Sequence, residues 1–105
     1  MRQRARVYWT QRAAADLVAI GEYIADDNPA AARRFVERLR HRARDAARAP
    51  LAGRSVPEVR RDNVREVLLG SYRVVYRVAK GGIEVLTVFE GHRLLPRGSV
   101  PEEES

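Results

Sequence analysis

Three segments with strand patterns, joined by very short turns, make up most of the second half of the chain. They are Val64–Leu69, Tyr72–Ala79 and Ile83–Phe89, with Gly70-Ser71 and Lys80-Gly81-Gly82 between them. Turns of two or three residues can join only antiparallel neighbours, because parallel strands need a long crossover. This half of the chain therefore predicts an antiparallel sheet of at least three strands.

The middle strand, SYRVVYRV, has two different faces, because successive side chains on a strand point to opposite sides of the sheet. One face carries the bulky apolar side chains of Tyr72, Val74, Tyr76 and Val78. The other face carries Arg73, Val75 and Arg77. We predict that helices cover the first face, and that the face with the two arginines is partly open to solvent.

The first half of the chain has the pattern of two amphipathic helices. The first is predicted over Gln11–Asp26, after the N-cap Thr10, and the second over Pro29–Arg48, after the N-cap Asn28. Apolar residues recur in both at helical spacing, and asparagine followed by proline is a favoured helix start. Since the link is short, the two helices should form an antiparallel hairpin.

The remaining segments complete a single α+β domain, predicted over residues 1–96. Arg4–Trp9 has the pattern of a short strand, which we place at an edge of a three- to four-stranded sheet. Leu51–Asp62 is predicted as a loop, since it has no clean periodicity. Residues 97–105 are polar and end in PEEES, so we expect a disordered acidic tail.

Charge and cysteine content limit the possible functions. The 105 residues carry a net charge of +6, Lys80 is the only lysine, and there is no cysteine. A chain without cysteine has no disulfide and no thiol nucleophile, which fits a reducing compartment. The basic start, MRQRARVYW, lacks the apolar run of a signal peptide, and we expect a cytoplasmic protein with no membrane span. No motif indicates a metal or other cofactor.

Arg73 and Arg77 are the first candidates for chemistry, because they project from one face of a strand. They could form a ladder of cross-strand ion pairs with Glu66, Glu84 or Glu90. They could also clamp a phosphate of RNA and stabilise the charge of a phosphoryl transfer. Their spacing leaves both interpretations open.

His92 and Arg93 follow the last strand, in a position where loops often carry function. A histidine next to an arginine could act as a general acid or base with an electrostatic partner. Contact with another protein, or simple exposure to solvent, is the alternative.

Arg34, Arg38 and Arg42 form a stripe on the second helix, since their spacing of four places them on one side. Such a stripe is either a solvated face or a docking surface for an acidic partner.

Four segments together resemble the RelE/ParE toxin superfamily over nearly the whole chain, from about Arg6 to about Pro96. They are VYWTQRAAADLVAIGEYIADDNP (7–29), AGRSVPEVR (52–60), REVLLGSYRVVYRV (65–78) and IEVLTVFEGHRLLP (83–96). The resemblance implies the toxin of a type II toxin–antitoxin pair. It also implies a hetero-oligomer with a ParD-like antitoxin, whose acidic C-terminal segment would contact Tyr23, Arg34, Arg38 and Arg42.

The superfamily has two activities, and the sequence has to be placed between them. In the RelE-like branch, which cleaves mRNA on the ribosome, Arg73, His92 and Arg93 would be the catalytic residues. The chain departs from that branch, because Val64 and Glu66 stand where basic residues are usual, and the terminal tyrosine is absent.

The second branch, ParE, poisons DNA gyrase without known catalytic residues, and GSYRVVYRV and GHRLLP look most like it. The resemblance therefore favours a gyrase-binding inhibitor over an enzyme, with Arg73, Arg77, His92 and Arg93 as the target-binding residues. The alternative is a ribosome-dependent endoribonuclease.

Overall fold

A computed structural model describes residues 4–102. The elements in chain order are β1 (Arg6–Trp9), α1 (Gln11–Ala25), α2 (Pro29–Arg48), a 3₁₀ turn (Pro50–Ala52), β2 (Arg54–Ser55), β3 (Val64–Leu69), β4 (Tyr72–Ala79) and β5 (Gly82–Glu90). The predicted α+β architecture is confirmed, with a helical hairpin packed on one sheet.

Both predicted helix starts are confirmed by their hydrogen bonds. The Thr10 hydroxyl accepts a hydrogen bond from the backbone N–H of Ala13 at 3.1 Å, and the Asn28 side chain accepts one from Ala31 at 3.0 Å. Each cap satisfies a backbone donor that the first helical turn leaves without a partner. Pro29 then occupies the first turn of α2, where its missing N–H costs nothing.

The sheet has five strands in the order β1-β5-β4-β3-β2. Strands β3, β4 and β5 are antiparallel neighbours as predicted, and the first strand does lie at an edge. Two features differ from the prediction. β1 pairs with β5 in parallel, so the sheet is mixed. The two residues of β2, within the segment predicted as a loop, pair with β3 and form the opposite edge; a strand that short has no alternation to recognise.

The main core lies between the helical hairpin and the predicted apolar face of β4. Leu17, Leu39, Val74, Tyr76 and Val85 are among its buried residues, with Tyr72 and Val78 at its margin. The Tyr76 hydroxyl donates a hydrogen bond to the carbonyl of Pro50 at 2.5 Å. Gly53 makes room for that hydroxyl, since a Cβ there would lie 2.1 Å from the oxygen. The core thereby also holds the chain that leaves α2.

The opposite face of the sheet is partly exposed at Arg77, in line with the prediction, but it also carries a second apolar cluster. Val56, Val64, Val75, Leu86 and Phe89 are buried there, packed against Val59, Leu95 and Val100. A register shift between β4 and β5 at Val75/Tyr76 breaks the simple alternation of β5. Arg73 is buried beside this cluster, so the expected exposure of this face does not extend to Arg73.

The predicted disordered tail is wrong for the part of it that the structure describes. Ser99 is buried, Val100 packs on the second cluster, and Arg61 donates a hydrogen bond to the carbonyl of Pro101 at 2.7 Å. Residues 97–102 therefore belong to the domain, while 103–105 lie outside the described residues. Within residues 4–102, neither helix has the length and apolarity that crossing a membrane requires.

Candidate functional site

Four charged residues form a network on the second face of the sheet, which we call the charge network: Arg54, Glu58, Glu66 and Arg73. Nε of Arg73 donates to Oε1 of Glu66 at 2.7 Å. Its Nη1 and Nη2 donate to the two oxygens of Glu58, at 2.9 and 2.7 Å. The second oxygen of Glu66 accepts from Nε of Arg54 at 2.6 Å. All three guanidinium nitrogens of Arg73 are thus bound to carboxylates.

Strand register explains how two members of the charge network meet. Glu66 lies opposite Val75, and Arg73 precedes Val75 by two residues, so the two charged side chains are diagonal neighbours on one face. The side chain of Glu66 is fully buried, and that of Arg73 is 9% exposed. The guanidinium carbon of Arg73 also lies 4.8 Å from the centre of the Phe89 ring. Glu66 is therefore a buried charge whose partners come from the neighbouring strands.

Electrostatic interactions favour the ionised forms of Glu58 and Arg73. Hydrogen bonds from Arg73 lower the pKa of Glu58 from 4.5 to about 2. The hydrogen bonds that Arg73 donates to Glu58 are likewise the main reason why the pKa of Arg73 is raised. An anionic ligand could reach this guanidinium only by displacing a carboxylate. This placement does not fit the predicted role of Arg73 in contacting a target or an RNA phosphate; it fits a structural role.

Arg77 forms a separate ion pair with Glu84, its direct cross-strand neighbour. Both side chains are about one third exposed, at 34% and 30%. The ladder interpretation is therefore confirmed for Glu66 and Glu84, but not for Glu90. These contacts do not support the phosphate-clamp interpretation, because Arg73 and Arg77 are bound to different carboxylates.

His92 and Arg93 lie on the surface just after β5. The His92 ring is 85% exposed and hydrogen-bonded to Glu90, which lowers the pKa of Glu90. Arg93 is exposed and lines a cleft of about 400 Å³ together with Tyr23, Tyr72 and Asp16. Within residues 4–102, no three histidine or carboxylate side chains converge as a metal site would require.

Aromatic side chains connect this cleft to α2. Tyr72 packs on Phe35 with 5.3 Å between ring centres, and the guanidinium of Arg38 lies 5.9 Å from the centre of the Phe35 ring. Tyr23 is 76% exposed at the same end of the sheet. We call Tyr23, Phe35, Arg38, Tyr72 and Arg93 the end surface. The structure thus brings Tyr23, predicted for the antitoxin, into one cleft with Arg93, predicted for the target, and connects Arg38 to that cleft through the rings of Phe35 and Tyr72.

The other two arginines of the stripe differ in their surroundings. Nε of Arg42 donates to the carbonyl of Leu68 at 3.1 Å, so this side chain covers part of the β3 edge. Arg34 is exposed one turn before Arg38. The stripe therefore extends from the end surface along α2.

Two acidic residues in structural roles were missed by the sequence analysis. Glu58 belongs to the segment predicted as a loop, where no periodicity indicates which way a side chain points. Asp16 accepts hydrogen bonds from the Thr87 hydroxyl at 2.6 Å and from the backbone N–H of Val88 at 2.9 Å. Asp16 fixes α1 to β5, and its position one residue before the buried Leu17 is the only sequence signal for that role.

Comparisons with known proteins agree over most of the chain. The family model described as "ParE toxin of type II toxin-antitoxin system, parDE" matches residues 7–95. The "Putative toxin Y4kP" of Sinorhizobium fredii is 36% identical over 96 residues, which cover 90% of this chain and 96% of that protein. "Toxin RelE2" of Caulobacter vibrioides is 37% identical over 90 residues, 86% and 99% of the two chains.

A solved structure, titled "Chromosomal ParDE TA system from P. aeruginosa", has the same fold. It superposes with a TM-score of 0.67 at 24% sequence identity, and covers 83% of this chain and 96% of its own.

The two arginines of β4 make a matched pair for a test of the charge network. Arg73→Ala should lower the free energy of unfolding by about 3 kcal/mol or more, because it removes a main partner of the buried Glu66. Arg77→Ala breaks a pair that is partly exposed and should cost less than about 1 kcal/mol. Urea denaturation at pH 7 measures both, and equal costs would contradict the structural role of Arg73.

Proposed function

The chain belongs to the ParE toxin family of type II toxin–antitoxin systems, and from this premise we propose that it inhibits DNA gyrase by binding, and that a cognate antitoxin neutralises it by direct contact. The observation that carries the proposal is the engagement of Arg73 by Glu58 and Glu66. An endoribonuclease needs cationic groups that are free to stabilise the charge of a reacting phosphate. In this chain the arginine placed for that role is already neutralised.

The exposed residues at the end of β5 are the proposed contact with gyrase. Arg93 and His92 are accessible, whereas Arg73 is buried and Arg77 shares its charge with Glu84. Arg93 lies beside the ring of Tyr72, and a patch of arginine and aromatic side chains is typical of the residues that dominate binding energy at interfaces. We therefore assign target binding to the part of the end surface around Arg93. The toxin would act in the cytoplasm, where gyrase acts on DNA.

The antitoxin contact is proposed for Tyr23, Arg34, Arg38 and Arg42. None of these three arginines is paired with a carboxylate of residues 4–102, so an acidic segment could lie along α2 without displacing an existing ion pair. The exposed ring of Tyr23 adds apolar area at the end of that path. Because Tyr23, Arg38 and Arg93 share the end surface, an antitoxin bound there would cover the proposed gyrase contact. Neutralisation then follows from occlusion.

Ribosome-dependent cleavage of mRNA is the competing function, and the name of the relative RelE2 is compatible with it. A gyrase supercoiling reaction and a translation reaction with primer extension, both run with the full chain, distinguish the two. We expect supercoiling to be blocked and no discrete cuts in the mRNA. Discrete cuts at ribosomal A sites, without an effect on supercoiling, would overturn the proposal.

Variants locate the gyrase contact within the same supercoiling reaction. His92→Ala/Arg93→Ala should raise the concentration for half-inhibition about tenfold or more, because the contact residues are lost. Arg33→Ala/Arg44→Ala removes two exposed side chains of α2 outside the proposed contact and should change it less than about twofold. Equal effects of the two pairs would show that Arg93 and His92 do not form the contact.

A charge-reversal experiment tests the antitoxin surface. Arg38→Glu/Arg42→Glu should weaken binding of the cognate antitoxin about tenfold or more, because like charges would then face its acidic segment. Arg4→Glu/Arg33→Glu changes the net charge by the same amount away from the groove that Arg38 and Arg42 line, and serves as the control. Isothermal titration calorimetry measures the affinities, and circular dichroism checks the fold after loss of the Arg42–Leu68 hydrogen bond. Unchanged affinity of the first variant would rule out this surface.

A further inference from the structure

A basic pocket lies beside β1, at the opposite end of β5 from the end surface. Arg4, Arg6, Tyr8, Lys80 and Gly81 line it, and its volume is about 400 Å³. The described residues form eight ion pairs, and none of them includes Arg4, Arg6 or Lys80. Three cations without a carboxylate partner in residues 4–102 thus surround one cavity, and neither proposed protein contact uses it.

The strand pairing builds this pocket. The backbone N–H of Arg6 donates to the carbonyl of Gly81 at 2.8 Å and aligns β1 with the start of β5. Gly82 permits the approach, since a Cβ there would lie 1.9 Å from the carbonyl oxygen of Arg6. Because Lys80 precedes this glycine pair, the β4–β5 turn places its ammonium group beside the start of β1. The three cations therefore converge because of main-chain geometry.

Neighbouring groups leave the pocket positively charged. Nη1 of Arg6 donates to the hydroxyl of Tyr8 at 3.3 Å, which orients the guanidinium without reducing its charge. The nearest carboxylate in the strand register is Glu84, the partner of Tyr8 in β5. Glu84 is bound by Arg77, so its charge is compensated within the sheet. An anion entering the pocket would meet three unopposed positive charges.

We propose that this pocket binds the backbone phosphates of a single-stranded nucleic acid, with a base stacked on Tyr8. Guanidinium groups bind phosphate oxygens through paired hydrogen bonds, and a lysine adds a point charge. The ring of Tyr8 lies among these cations and is 45% exposed. Proteins that bind single-stranded nucleic acids combine cations, which contact the backbone, with exposed aromatic rings on which the bases stack. An acidic peptide would use the cations but would leave the ring without a partner.

The site goes beyond the proposed gyrase contact, because it lies on a different part of the molecule. Gly82 and Glu90 are the two ends of the nine-residue β5, roughly 26 Å apart at the usual rise of a strand. A nucleic acid in the pocket could therefore be held while the end surface contacts a protein.

Fluorescence anisotropy with a labelled 12-nucleotide single strand, the matching duplex and the full chain tests the proposal. Arg4→Gln/Lys80→Gln should weaken single-strand binding about tenfold at 100 mM salt. When the logarithm of the affinity is plotted against the logarithm of the salt concentration, the slope should also become shallower by about 1.4. Each of the two lost phosphate contacts contributes about 0.7 to that slope. Arg33→Gln/Arg44→Gln, with the same net charge, should weaken binding less than about twofold. Equal losses in both variants would overturn the proposal, since they would indicate general attraction to a basic protein.

Tyr8 variants test the stacked base. Tyr8→Ala should weaken single-strand binding about fivefold or more, from the usual contribution of one stacked base, whereas Tyr8→Phe should keep most of the affinity. Duplex binding should be weaker than single-strand binding and insensitive to Tyr8→Ala. The assignment would be overturned if the duplex bound as tightly as the single strand. It would also be overturned if a poly-glutamate peptide displaced the single strand at an equal concentration of charge. Circular dichroism checks the fold of each variant. If a Tyr8 variant fails to fold, the Arg4→Gln/Lys80→Gln variant still tests the proposal, because both residues lie outside the strands.

Discussion

The fold of this toxin depends on a buried arginine that holds three parts of the chain together. Arg73 in β4 binds Glu66 of β3 and Glu58 of the preceding loop. The carboxylate of Glu58 also accepts a hydrogen bond from the backbone N–H of Leu95, in the segment that follows β5. A buried ion pair adds little net stability over an apolar pair, but loss of one partner is costly. The charge network therefore specifies which loop and which terminal segment cover the second face of the sheet.

The arginines of this chain fall into two groups with different consequences. Those inside or beside the second face, such as Arg54, Arg73 and Arg77, are bound to carboxylates. Others lie on the surface of α2 or just before β1, and of these Arg38 and Arg4 are not paired with a carboxylate of residues 4–102. The charges of the first group are compensated within the fold, whereas the second group has cations that no described carboxylate compensates.

Local patterns were sufficient to predict both helices, their caps, the three long strands and the face that the helices cover. They were insufficient wherever non-local contacts decide. The parallel pairing of β1 with β5 depends on how the helical hairpin packs on the sheet, which is a non-local contact. β2 has only two residues, too few for an alternating pattern. Alternation placed Arg73 and Arg77 on one face, yet the exposure of that face depends on residues 56–59 and 95–100, which have no regular pattern. The pairing of Arg73 with Glu66 could be predicted from the sequence, because both residues lie on predicted strands. The pairing with Glu58 could not, because Glu58 lies in an irregular segment.

The function proposed for this chain depends on the binding of the Arg73 guanidinium by protein carboxylates. The most direct measurement is the titration of the Glu58 side-chain carboxyl by carbon-detected NMR. We expect a pKa of about 2, because the hydrogen bonds from Arg73 favour the ionised form. A midpoint near the ordinary value for glutamate, about 4.3, would contradict it. Arg73 would then be free of Glu58, and the interpretation of this toxin as a binding inhibitor would lose its main support.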